Sequence, residues 1–181
     1  MKKHIHIFGA SGSGTTSIAK EAAKRLGYKH LDTDSYYWIA TEEPFTVMRD
    51  TCERSEMLIR DMDENAKWIN SGSVMGWDDN IRDKFDLAVF ITVPHDVRMS
   101  RLAKREYDMF GDRILPGGDR YELYTEFYEW ASAYEIGGVE GKTLGRHEEW
   151  IKSFECDVVR IENIDFEKSI EMVIKAIKQE E

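Results

Sequence analysis

Gly9-Ala10-Ser11-Gly12-Ser13-Gly14-Thr15-Thr16-Ser17 is the stretch that decides the fold of this chain. Before it stands His4-Ile5-His6-Ile7-Phe8, where isoleucines alternate with histidines as in a strand. After it, Ile18-Ala19-Lys20-Glu21-Ala22-Ala23-Lys24-Arg25-Leu26 has the apolar spacing of a helix. Strand, glycine loop and helix in that order form a phosphate-binding arrangement. Small residues let successive N–H groups turn inward around an anion, and the helix adds the positive end of its dipole.

The spacing Gly9-x4-Gly14-x-Thr16 fits the pattern G-x-x-x-x-G-K-[ST] at every fixed position except one, where Thr15 replaces the lysine. Gly9, Ser11, Gly12, Ser13, Gly14, Thr15, Thr16 and Ser17 are therefore the expected nucleotide-binding set. Thr16, in the first helical turn, is placed to offer its hydroxyl to a Mg2+ ion that bridges the β- and γ-phosphates. Losing one preformed stabiliser of transition-state charge typically costs about 10²–10³ in rate. Another cation must cover the charge that a lysine would have met.

A chain of 181 residues suits one domain, taken as 1–181, with a sizeable core. The formal net charge of −10 argues against general affinity for nucleic acid or an acidic membrane surface, so a nucleotide site must gather its positive charge locally. No apolar run is long enough to span a membrane, and the short first apolar stretch, broken by histidine, does not read as a signal peptide. Cys52 and Cys156 are isolated, which fits a reducing cytoplasm. His4-x-His6 lacks a third metal ligand nearby in sequence.

Along the chain, residues 28–32 read as a second strand ending in Asp32-Thr33-Asp34, two carboxylates at the end where open α/β sheets bind ligands. Either carboxylate serves Mg2+ or an acceptor hydroxyl, or caps the next helix; Asp34, lying further out, is the better functional choice. A helix is expected over 53–63, a third strand over 66–70 followed by a Gly72/Gly76 loop without a carboxylate, and a buried strand over 86–94. The next helix, about 95–107, carries Arg98, Arg101 and Arg105, with 98/101 and 101/105 spaced to share a face. From about 110 to 150 an insertion rich in turns and aromatics reads as a lid, whose Arg113, Arg120 and Arg146 are natural replacements for the missing lysine. A fifth strand over 156–161 and a helix over 165–178 close the chain.

The loop, the arginine helix and the insertion together resemble the P-loop small-molecule kinases: adenylate, cytidylate and shikimate kinases and their relatives. Gly-Ser-Gly-Thr-Thr at 12–16 is similar to archaeal cytidylate-kinase-like sequences, and the segments 30–38 and 68–72 look like the adenylate-kinase-related topology modulation group. The resemblance implies an α/β P-loop NTPase fold, a five-stranded parallel sheet sandwiched by helices with a helical lid insertion. It also implies ATP and Mg2+ as donor and cofactor, and a small-molecule or nucleotide acceptor. By position, Gly9, Gly12, Gly14 and Thr16 would hold triphosphate and magnesium, and Arg101 and Arg105 would contact phosphates. Arg113, Arg120 and Arg146 would be lid residues, and Asp34 would polarise the acceptor hydroxyl or order a magnesium-bound water. The expected function is transfer of the γ-phosphoryl group of ATP; the alternative is a nucleotide-binding regulatory protein with little catalysis.

Overall fold

The computed structural model describes residues 1–180. Five strands, β1 (His4–Gly9), β2 (Lys29–Asp32), β3 (Trp68–Ser71), β4 (Leu87–Thr92) and β5 (Asp157–Glu162), form one sheet in the order β2-β3-β1-β4-β5. Every pairing is parallel. Helices α1 (Thr15–Leu26), α2 (Thr33–Tyr37), α3 (Thr51–Asp63), α4 (Asp79–Arg82), α5 (His95–Phe110), α6 (Tyr121–Ser132), α7 (Leu144–Ile151) and α8 (Phe166–Lys178) supply the crossovers and the insertion. The strand order reverses at β1, so the crevice beyond its carboxyl end is the switch point where such sheets bind ligands.

The alternation in β1 sorts two cores rather than a core and a solvent face. Ile5 and Ile7 pack with Ile18, Ala19, Ala22 and Ala23 of α1 and Ile170, Val173 and Ile177 of α8. The alanine stripe lets α1 approach the sheet closely, and each buried isoleucine contributes about 1.5–3 kcal/mol. On the opposite face Phe8 packs with Ala88 and Phe90, against Trp150 and Phe154. His6 is completely buried there, stacked on Phe85 at 4.4 Å and on Phe8 at 5.0 Å. Its Nδ1 meets Asn70 Oδ1 at 2.8 Å, and burial lowers its pKa to about 3, so it is a neutral core imidazole. His4 stacks instead on Trp68.

Each expected strand is present with ends shifted by a residue or two, as is the helix expected at 53–63, which starts earlier because Asp50 caps it by accepting from Cys52 N and Glu53 N. Helix α7 was not anticipated. Thr143 caps it, accepting from Arg146 N at 3.2 Å, and its Trp150 covers the second face of the sheet. Cys52 and Cys156 are free thiols, exposed and half-buried respectively. Among the described residues no helix is long and apolar enough to cross a membrane.

Candidate active site

The phosphate loop leaves β1 at Gly9 and turns through a Ser13 N to Ala10 O hydrogen bond of 3.1 Å. Gly12 and Gly14 have φ of 84° and 90°, and a Cβ on Gly14 would come within 2.7 Å of Asn163 Nδ2. Only glycine fits both the backbone and the space. Because Gly14 is the N-cap of α1, no side chain caps the helix, and no acidic residue lies in its first turn. The leading N–H groups are thus left without the usual side-chain partner, directed at the crevice. Thr15 and Thr16 are half-buried beside them, and Ser17 is exposed. Ser13 Oγ is buried without a partner.

Two side chains brace the loop from the α5 side. Arg98, 1% exposed, donates from Nη1 to Ser11 O at 3.0 Å and from Nη2 to Ala131 O at 3.0 Å. It also forms a two-pronged pair with Glu135, at 3.0 and 2.7 Å. Burial pushes the Glu135 carboxyl up, but its bonds to Arg98 and His95 carry it below the ordinary value. Asn163, after β5, donates from Nδ2 to Ser13 O at 2.8 Å, and Arg101 holds that turn by donating to Asn163 O at 2.9 Å.

Across the crevice, Asp32 takes the capping role at α2, accepting from Asp34 N at 3.3 Å. Burial and then the neighbouring Asp34 raise its pKa. Asp34 is left exposed in the first turn of α2. Arg54 of α3 lies against two rings, 4.5 Å from the Tyr37 centroid and 4.7 Å from that of Trp77. Its Nε is buried without a hydrogen-bond partner. Lys142, just before α7, is half-buried. Burial lowers its pKa; Asp34 raises it and Arg54 lowers it again, which puts the three charges in one electrostatic neighbourhood. Beyond the loop itself, this end of the sheet therefore gathers one exposed carboxylate and two cations, neither cation in an ion pair among the described residues.

A buried polar chain supports this end of the sheet. Tyr134 OH meets His147 Nδ1 at 2.7 Å, and His147 Nε2 meets Ser73 Oγ at 3.0 Å. Burial, with Lys142 nearby, lowers the His147 pKa to about 4, so the ring is neutral at pH 7. Asn70 Nδ2 donates to Leu31 O and Thr33 Oγ1, tying β3 to the start of α2 and thus to Asp34.

The arginines expected to contact phosphates are bound elsewhere in this structure. Arg101 serves the Asn163 turn, and Arg105 pairs with Glu106 at 2.7 Å. Arg113 and Arg120 converge on Glu43, at 2.8 and 2.6 Å, and Arg120 stacks on Phe110 at 3.9 Å. Arg146 donates to Gly141 O at 3.1 Å. The bracing by Arg98, the partnerless Arg54 and the placement of Lys142 escaped the sequence reading. The 98/101 spacing signals the first; nothing local distinguishes the other two from ordinary surface cations. The oxygen donors present, a Thr16 hydroxyl and the carboxylates at the end of β2, suit a hard cation that keeps waters and phosphate oxygens as further ligands. No group of three or more His, Cys, Asp or Glu side chains able to hold a metal occurs among the described residues.

Fold and loop together are those of the P-loop small-molecule kinases. The chain covers 99% of its length against the shikimate kinase from Acinetobacter baumannii in complex with shikimate, and 94% of that chain, at a TM-score of 0.56 and 13% identity. In sequence it is 26% identical over 140 residues to the cytidylate kinase of Haloarcula marismortui, spanning 69% of this chain and 72% of that one. The chain belongs to the family of the uncharacterized protein YqaC of Bacillus subtilis (strain 168), with 45% identity over 163 residues and 90% of each chain covered. No protein-family model matches the chain.

Proposed function

We propose that the protein is an ATP-dependent phosphotransferase acting on a small acceptor that carries both a hydroxyl or phosphate oxygen to be phosphorylated and a separate anionic group. One observation carries this reading: an uncapped α1 N-terminus in a glycine loop and an exposed Asp34 both follow the carboxyl ends of parallel strands, and α2, which carries Asp34, lies against a partnerless Arg54. The loop N–H groups take the β- and γ-phosphates, and Thr16 with Asp34 would hold Mg2+, which would neutralise phosphate charge. The acceptor oxygen attacks the γ-phosphorus as the bond to the ADP oxygen breaks. Where the attacking group is a hydroxyl, its proton passes to Asp34 or to water. Arg54 anchors the anionic end of the acceptor, already desolvated on its ring faces by Tyr37 and Trp77. Positioning and charge neutralisation account for most of this chemistry, so no protein nucleophile is needed. The insertion over 110–150 would act as a lid, with Arg113 and Arg120 exchanging Glu43 for phosphate oxygens.

The alternative, a nucleotide-binding protein with little catalysis, is favoured by Thr15 and by Asn70-Ser71 where β3 ends without a carboxylate. ADP formation from Mg-ATP, measured with and without a panel of nucleoside monophosphates and small hydroxy acids, decides between them. Acceptor-dependent ADP formation that falls about 10²-fold or more in Asp34→Asn is the expected result. ATP binding with no acceptor dependence across the panel would favour the alternative.

A further inference from the structure

The missing loop lysine leaves a specific demand: a cation able to reach the γ-phosphate from a fixed mount. The arginines near the crevice are committed to protein oxygens, Arg98 to Ser11, Ala131 and Glu135, Arg101 to Asn163, Arg113 and Arg120 to Glu43. Arg54 sits on the α3 side, against Tyr37 and Trp77. Lys142 differs from all of them. Its backbone is fastened on both sides: Trp130 Nε1 donates to Glu140 O at 2.8 Å, Arg146 Nη1 to Gly141 O at 3.1 Å, and Leu144 N to Tyr134 O at 2.8 Å. Two residues on, Leu144 shares with Ala10 of the phosphate loop the lining of a cavity of about 90 Å³. Five residues on, His147 packs edge-on against Phe8, the residue before Gly9, at 5.3 Å. The mount of Lys142 is therefore beside the origin of the loop, and its charge acts on Asp34 and Arg54 as well as on the neutral imidazoles of His6 and His147. A four-carbon stem from that mount is long enough to carry an ammonium toward a phosphate held in the loop.

We propose that Lys142, supplied from the start of α7, replaces the lysine that Thr15 lacks and is the protein cation that neutralises the γ-phosphate of bound ATP. The inference rests on the phosphotransferase reading and adds the residue that supplies the charge. A half-buried ammonium with no carboxylate in ion-pair distance is unfavourable in the empty protein. A ligand phosphate supplies the partner it lacks. Arg146, which holds Gly141, acts on this ammonium as a positioning residue.

The test is competition of ATP and of ADP, each with Mg2+, against a fluorescent ADP analogue, on wild type, Lys142→Gln, Thr15→Lys and the double variant. Wild type is expected to prefer ATP over ADP. In Lys142→Gln, ATP affinity falls about tenfold or more while ADP affinity barely moves. The double variant regains the preference, because Thr15→Lys returns a cation to the same phosphate from the usual position. Without nucleotide, Lys142→Gln melts no lower than wild type, which a merely structural lysine would not do. An unchanged ATP-to-ADP ratio in Lys142→Gln, or a double variant no better than the single one, overturns the inference while leaving the phosphotransferase reading standing. Absence of nucleotide binding by the wild type overturns both.

Discussion

Arg98 on the α5 wall of the crevice and Arg54 on the α3 wall are chemically the same group held in opposite ways. Arg98 is buried and meets Glu135 and two backbone carbonyls, one of them the Ser11 carbonyl of the phosphate loop. Arg54 rests on two aromatic faces with a buried Nε that meets nothing. The first arrangement is complete without a ligand and shapes the loop; the second leaves a buried donor unused. A guanidinium whose donors are all satisfied by protein stabilises the fold, whereas a desolvated one kept waiting lowers stability in exchange for binding an anion. In this molecule the glycine loop is preorganised by charge already paired, and Arg54 keeps its charge unpaired.

The sharpest way to break that contrast is Arg98→Met. Removing one partner of the pair leaves Glu135 with His95 alone and the Ser11 and Ala131 carbonyls without this donor, so unfolding free energy should fall on the order of 3 kcal/mol. Glu135 is partly exposed, which keeps the loss from running higher. Urea denaturation measures it directly. A loss below about 1 kcal/mol would mean that the loop is shaped by its glycines alone.

Arg54→Met asks the complementary question at smaller scale. Stability should stay the same or rise, because a buried donor without a partner is removed while the stem still packs on Tyr37 and Trp77. The KM for the acceptor found in the panel should rise about tenfold or more, with the KM for ATP little changed, as expected when a charge-assisted contact to the acceptor alone is lost. A drop in stability matching that of Arg98→Met would erase the distinction between the two walls.

The difference between the walls also marks what the sequence could reveal. The loop was legible because strand, glycines and helix are contiguous, and Gly12, Gly14 and Thr16 declare their positions by spacing alone. Strand β4 was legible because a parallel strand covered on both faces is an unbroken apolar run. The choice between Asp32 and Asp34 was open in sequence, since a cap and a ligand-facing carboxylate use the same residue at nearly the same place; the hydrogen bond from Asp34 N to Asp32 decides which one caps. Arg54 and Lys142 were not legible. They lie 88 residues apart, on elements that meet only when α3 and the start of α7 fold over the same strand ends, and a missing partner is a property of three-dimensional surroundings. Helix α7 was hidden because it is short and its apolar residues, Leu144, Trp150 and Ile151, are too few to establish a period.

Glu43 links the two walls and gives the smallest predicted effect. It accepts from Arg113 and Arg120 of the insertion, and these bonds hold its carboxyl below the ordinary range. All three charges border solvent to some extent, Glu43 and Arg113 most, so their attraction is screened and contributes little to stability. If the arginines are to reach phosphate, Glu43 competes with the nucleotide for them. Glu43→Gln should then leave the melting temperature nearly unchanged and tighten ATP binding about threefold, with less gain for ADP, which offers one phosphate fewer. The same displacement assay used for Lys142 reads it. Weaker ATP binding in Glu43→Gln would show instead that Glu43 positions the insertion for the nucleotide, making the Arg113 and Arg120 contacts part of the bound state, with the acceptor wall then as preorganised as the loop.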